Sequence, residues 1–147
     1  MLEIGNGLTI QQSRSHFAFW AIMKSPLFIG TNMIKILQAD TDILQNKYLL
    51  TFNQDPVYGK PAQPCKWYVQ NVVQVHHPGS SCNLGDRGIN PDWTFNATNP
   101  AEFWSGSYTD DTLVALLNTL TNTRTMTAKF DEIPQLSHGG PHKVTDA

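Results

Sequence analysis

Between Ser25-Pro26 and Gly30 the chain carries a short, wholly apolar run, Leu27-Phe28-Ile29. A run this short cannot make a helix, and it has no polar side to turn to water. As a strand it needs cover on both faces, which is the situation of a parallel sheet between layers of helices. The residues before it supply a covering helix. Thr9 with Gln12 beyond it forms a capping-box pattern, in which each side chain satisfies a backbone N–H of the first turn. Ile10, Phe17, Trp20 and Ala21 then share one helical face, and Phe19, Ile22 and Met23 widen it. Pro26 drives Ser25 out of the helical region, so the helix is expected from about Thr9 to Lys24. A second helix is expected from about Asp40 to Lys47, with Ile43, Leu44 and Leu50 facing inward. Helix, buried strand and helix in succession belong to an α/β architecture. One such unit cannot close a sheet.

The pattern changes after Asn53-Gln54-Asp55-Pro56. Pro61, Pro64, Pro78, Pro91 and Pro100 punctuate the middle of the chain and helical periodicity stops. Strands are expected at Phe103 to Tyr108, Leu113 to Leu120 and Thr125 to Phe130, with a turn near Thr121-Asn122-Thr123 inside a run of alternating threonines. Lys143 to Ala147 has the look of one further strand. The reading is therefore an α/β piece followed by an all-β piece, joined between Pro56 and Pro64.

Composition excludes several classes. The chain is 40% hydrophobic and 15% charged, where an average soluble domain is about 25% charged; a disordered tail has the opposite balance. A net charge of −2 without a basic cluster gives no footing for nucleic acid. No stretch reaches the roughly 18 apolar residues of a membrane span. Met1-Leu2-Glu3-Ile4-Gly5-Asn6-Gly7 has neither the basic start nor the apolar core of a signal peptide. Cys65 and Cys82 do not make a disulfide scaffold. Asn96-Ala97-Thr98 is an acceptor for N-glycosylation if the chain enters a secretory pathway.

Side chains that could carry chemistry have plainer readings. His138 and His142 have a metal-binding spacing for a helix, but Gly139, Gly140 and Pro141 between them exclude one. Cys65, His76, His77 and Cys82 are zinc-ligand types at a spacing that fits no finger or ribbon, and read as loop residues. His16 lies within the amphipathic helix and reads as a structural or surface histidine. Asp110-Asp111 and Asp131-Glu132 read as turn pairs, because adjacent side chains in extended backbone point apart. Trp20, Trp67, Trp93 and Trp104 could stack on sugar rings, but as a default they pack in cores. These residues alone yield no self-contained active site, and no metal or cofactor is called for.

Several motifs in order nevertheless resemble one family. They are Met1 to Gly7, Arg14-Ser15-His16-Phe17, Trp20 to Thr31, Ile43 to Lys47 and Phe52 to Pro56. Asn90-Pro91-Asp92-Trp93-Thr94-Phe95, Glu102 to Gly106 and Lys143 to Ala147 follow. Together they resemble glycoside hydrolase family 27, whose best-known members are α-galactosidases, and this version resembles the secreted fungal ones. The resemblance implies a (β/α)8 TIM barrel followed by an antiparallel β-sandwich, and no cofactor or metal. Residues 1–56 would be the carboxy-terminal remnant of the barrel, with Leu27 to Ile29 as its eighth strand, and 57–147 a partial β-sandwich. The family's two catalytic aspartates, one in a Lys-Tyr-Asp context, have no matching motif here. A retaining glycosidase needs both, about 5–5.5 Å apart, so this chain by itself is expected to be inactive. Of the sugar-contacting Asp-Met pair after strand seven, Met1 alone matches.

The resemblance implies terminal α-galactosyl residues of oligosaccharides or galactomannan as the substrate of the parent enzyme, and secretion as its localisation. Two alternatives stand beside it: a non-catalytic β-rich module that binds carbohydrate or a partner, and a truncated gene product without function. Tyr68 to Arg87 has no counterpart in the family. Joining Lys66-Trp67 to Gly88-Ile89-Asn90-Pro91-Asp92-Trp93 restores the pattern, so 68–87 is read as an insertion or a retained in-frame intron, irregular and exposed. Strand eight would lack both barrel neighbours within this chain, which would therefore tend to self-associate.

Overall fold

A computed structural model describes residues 1–69, 72–75, 101–109, 111–133, 135–136 and 139–147; for 65–69, 72–75, 101 and 132 it describes the backbone. The chain divides into two compact units, Met1–Pro61 with Lys143–Ala147, and Ala62–His142.

The first unit holds three helices and a parallel bridge. Helix α1, Ile10–Ile22, opens on the expected capping box: the Gln12 N–H donates to the Thr9 side chain and the Thr9 N–H to Gln12 Oε1 at 2.9 Å. It ends four residues before Pro26, in a Schellman turn. The Lys24 N–H donates to Ala21 O at 3.0 Å and the Ser25 N–H to Trp20 O at 3.1 Å, satisfying carbonyls the helix itself leaves open. Helix α1 buries Ser13, Phe17, Ala21 and Ile22, while Met23 is exposed.

The single helix expected over 40–47 is two. Helix α2, Gln38–Leu44, is followed by α3, Lys47–Gln54. Asn46 makes the break: its Oδ1 accepts from the Tyr48 and Leu49 N–H groups, each at 3.1 Å, and so caps a new helix. Ile43 and Leu44 face inward from α2, and Leu50 does so from α3. Leu2, Ile4, Phe17 and Ile43 form the core of this unit, with Ile10, Trp20, Leu27, Leu44, Leu49 and Leu50 packed against it.

The apolar run at 27–29 is not a strand buried on both faces. It makes one bridge, parallel, between Leu2 and Ile29. The Leu2 N–H donates to Phe28 O at 2.7 Å and the Gly30 N–H to Leu2 O at 2.9 Å. It thus has a neighbour on one side, where none was expected. Phe28 remains 67% and Ile29 44% exposed, and Leu2 is the run's one ladder partner among the described residues. Lys143 to Ala147 is exposed and makes no strand.

The second unit is built on an antiparallel sheet of order β2-β1-β3-β4. Its strands are β1 Gln63–Val69, β2 Val72–Val75, β3 Ala101–Tyr108 and β4 Asp111–Leu116. Strands β3 and β4 form a tight hairpin, with Tyr108 opposite Asp111 and Phe103 opposite Leu116. The β1–β3 register shifts between Pro64 and Lys66; a proline, which has no N–H to give a ladder, is tolerated at such an irregularity. The strand expected over 113–120 stops at Leu116, and 125–130 is not a strand but irregular backbone that leads into a short 3₁₀ turn at Phe130–Glu132. Period-two threonines suit a strand, and Thr123, Thr125 and Thr127 are exposed between half-buried Arg124, Met126 and Ala128, but alternation alone does not supply a ladder partner.

Irregular backbone was also expected over 68–87. Within it, Tyr68 and Val69 belong to β1 and pair with Val73 and Val72 of β2. Val69, Val72, Val73 and Val75 therefore have backbone partners.

Candidate functional site

The parallel bridge positions the one residue that sequence reading assigns to substrate. Met1 lies at the bridge and is 69% exposed. Gly30 lies against it. A Cβ built on Gly30 would sit 3.1 Å from Leu2 O, 3.2 Å from Met1 Cβ and 3.3 Å from Glu3 Oε1. The glycine is what lets the two segments approach this closely.

The loop after Leu2 is held by short polar contacts. The Asn6 side-chain amide donates to Glu3 Oε2 at 2.6 Å. The Glu3 N–H donates to Nε2 of His16 on α1 at 3.3 Å, and the His16 ring lies 5.8 Å from that of Trp20. His16 is thus an acceptor that ties the loop to α1, the structural role its sequence suggests. Gly5, at φ 79°, turns the loop under α2. Its missing Cβ would meet Ile36 Cγ1 at 3.3 Å and Asp40 Oδ2 at 3.5 Å.

The burial of two carboxylates was not read from the sequence. Asp40, 7% exposed, is reached by the Ser13 hydroxyl at 3.5 Å. Glu102 on β3, 1% exposed, accepts from the Thr119 hydroxyl at 2.7 Å and pairs with the Arg124 guanidinium at 2.5 Å. An acidic residue followed by Phe103 and Trp104 in a strand was the available signal for the second. Nothing in the sequence marks Asp40. Three other carboxylates make local contacts. Asp42 accepts from Gln38, Asp55 from the Val57 and Tyr58 N–H groups, and Asp111 from the Thr112 N–H. These are the contacts of caps, turns and a fold-internal ion pair, not of an acid and a nucleophile facing a cleft.

Among the described residues, no three His, Cys, Asp or Glu side chains gather as a metal site. His142 is exposed and meets the Phe130 ring edge-on at 5.0 Å. Asn96, His76, His77, Cys82, Trp93, Asp110 and His138 lie outside the described residues, as do the side chains of Cys65, Trp67 and Glu132. Trp20 and Trp104 are half-buried.

Comparison with known proteins places this arrangement. Residues 1–55 match the family model Melibiase_2, described as alpha galactosidase A. A probable alpha-galactosidase B of Penicillium simplicissimum is 47% identical over 150 aligned residues, covering 100% of this chain and 30% of that protein. One from Talaromyces emersonii is 49% identical over 138 residues, covering 92% of this chain and 26% of its own length. One from Aspergillus oryzae is 44% identical over 153 residues, covering 99% and 30%. The chain belongs to the fungal α-galactosidase-like members of glycoside hydrolase family 27. It spans at most about a third of the length of these relatives, 30% in the Penicillium protein. Matching identity across the whole chain means that the β-rich second unit belongs to the same relationship as the helical first.

Proposed function

We propose that this chain supplies the carboxy-terminal part of a retaining α-galactosidase, and that its first unit is the end of a (β/α)8 barrel whose catalytic carboxylates lie in the preceding part of such an enzyme. The observation that carries this is the parallel Leu2–Ile29 bridge closed around α1. Strand, helix and parallel strand are the repeating unit of that barrel, and its active sites form at the carboxyl ends of the strands. Met1 and Gly30 stand at that bridge, so Met1 contributes apolar surface to the sugar pocket. The second unit is the start of the antiparallel sandwich. The substrates are terminal α-galactosyl residues of oligosaccharides or galactomannan, the enzyme is secreted, and Asn96 carries its glycan. Neither metal nor cofactor enters the reaction, which runs on one carboxylate as nucleophile and another as acid and base.

The test grafts residues 1–147 onto the Penicillium simplicissimum relative in place of its matching stretch. The graft should release p-nitrophenol from p-nitrophenyl α-galactoside, and the 147-residue chain should release no more than a heat-killed control. Turnover by the chain alone would mean that its own carboxylates suffice. A folded but inactive graft would leave the chain as a non-catalytic module.

A further inference from the structure

The ends of α1 and α3 are tied to each other by an exchange of side chains. The Asn53 side-chain amide, on α3, donates to Ala21 O at 3.2 Å and Ser25 O at 3.1 Å, at the carboxyl end of α1. In return, the Lys24 ammonium, just past α1, donates to Phe52 O on the last turn of α3 at 2.5 Å. The same ammonium stands 4.8 Å from the centre of the fully buried Phe52 ring. Each helix thus lends the other a further donor at its carboxyl end, beside the Lys24 and Asp55 N–H groups that already reach Ala21 O and Phe52 O, and a cation at a helix carboxyl end also complements its dipole.

The backbone shows that this arrangement is held against a cost. Lys24 has φ 50°, the one positive φ at a non-glycine residue among the described residues. It occupies the left-handed position of the Schellman turn, where glycine is the usual residue, because a Cβ there crowds the following carbonyl oxygen. Such strain persists where the surroundings over-determine it. Lysine stands at a position where glycine fits better, and its side chain makes one half of the exchange.

We propose that Lys24 and Asn53 are positioning residues: their clasp fixes where the chain leaves α1, and so seats Leu27 to Gly30 against Leu2. Asn53 holds Ser25 O, Pro26 stiffens the next step, and the bridge to Leu2 follows within a few residues. The clasp acts from the amino-terminal side of the apolar run, and Gly30 with Met1 lies at the other side. That Met1 and Gly30 face sugar rests on the proposed function; that the clasp seats them does not.

The experiment uses the 147-residue chain and the variants Lys24→Gly, Lys24→Arg and Asn53→Ala. Amide hydrogen exchange is followed at Leu2 and Gly30, whose N–H groups make the bridge, against Phe17 within α1. Asn53→Ala and Lys24→Gly should each lower protection at Leu2 and Gly30 at least tenfold while Phe17 changes less than threefold. Lys24→Arg, which keeps a donor and a cation, should restore most of it. Lys24→Gly should also melt below the parent, although it relieves the left-handed strain. If Lys24→Gly melts at or above the parent, or if Leu2 and Gly30 keep their protection in Asn53→Ala, the clasp does not seat the strand. Should Asn53→Ala fail to fold, the comparison of Lys24→Gly with Lys24→Arg decides alone. None of these readouts depends on sugar, so an inactive graft with an intact clasp effect would sink the proposed function and leave this inference standing.

Discussion

A methyl group is enough to test the bridge at Gly30. The added carbon of Gly30→Ala would meet Leu2 O at 3.1 Å, and that oxygen belongs to the backbone bonded to Gly30 itself, so it cannot swing away as a long side chain could. The two segments must separate. Overpacking of this kind costs about 1–3 kcal/mol, and urea unfolding of Gly30→Ala should show a loss in that range with exchange at Leu2 rising first. The buried ion pair tests a different rule. Glu102 is 2% and Arg124 13% exposed in their side chains. Glu102→Ala leaves the guanidinium without its counter-ion, at a cost of about 3–5 kcal/mol. Replacing both by leucine removes the stranded charge, and should recover most of that loss. Equal destabilisation of single and double variants, measured as urea midpoints, would show that the pair is worth its desolvation. Neither residue-scale effect is visible in sequence: Gly30 reads there as a strand stop, and Glu102 as part of a family motif, because close approach and burial are properties of what lies across from a residue.

Elements with local causes were legible. The cap of α1 needs residues three apart in sequence, and it is where Thr9 and Gln12 put it. Thr9→Ala should therefore cost about 1 kcal/mol, read as a lowered urea midpoint of helical circular dichroism; no change would mean that water caps the helix equally well. The β3–β4 hairpin was also approached, since its strands are joined by a short turn. The split between α2 and α3 was missed because Asn46 can continue a helix or cap one, and the capped arrangement prevails. The threonine run past Leu116 misled in the opposite direction: its alternation separates exposed threonines from half-buried Arg124, Met126 and Ala128 without forming a strand. Tyr68 to Arg87 shows the same limit: absence of a family counterpart argued for irregular backbone, whereas valines pair readily wherever an edge is on offer, and β1 offers one. Origin and structure are separate questions there. If the segment is a retained intron, messenger RNA from the source should include molecules that join codon 67 directly to codon 88; transcripts that all carry the segment would make it a genuine insertion. The strand pairing of Val72–Val75 is compatible with either result.

At the scale of the molecule, what the fold leaves uncovered matters more than what it buries. In the first unit Met1 is 69% exposed, Phe28 67%, Met33 50%, Ile34 93% and Leu37 69%. Monomeric proteins show single exposed apolar residues routinely, but accumulations of them mark surfaces that meet something else. Met1 and Phe28 flank the bridge, whose 27–29 segment pairs with Leu2 alone among the described residues. Its outer backbone is therefore an open edge as well as an apolar one, and such edges template association. The 147-residue chain by itself should thus self-associate at micromolar concentration, eluting ahead of a 16.4 kDa monomer on size exclusion and binding a hydrophobic dye in its native state. Phe28→Ser combined with Ile34→Ser should shift it toward monomer, since both side chains are too exposed to contribute much to the core. The graft onto the longer relative should show neither behaviour, because in the proposed barrel the same edge is paired and the same side chains are covered. A 147-residue chain that runs as a monomer, leaves the dye dark and melts in one sharp transition would mean that its surface is already complete, and that no further stretch of barrel is needed to cover it.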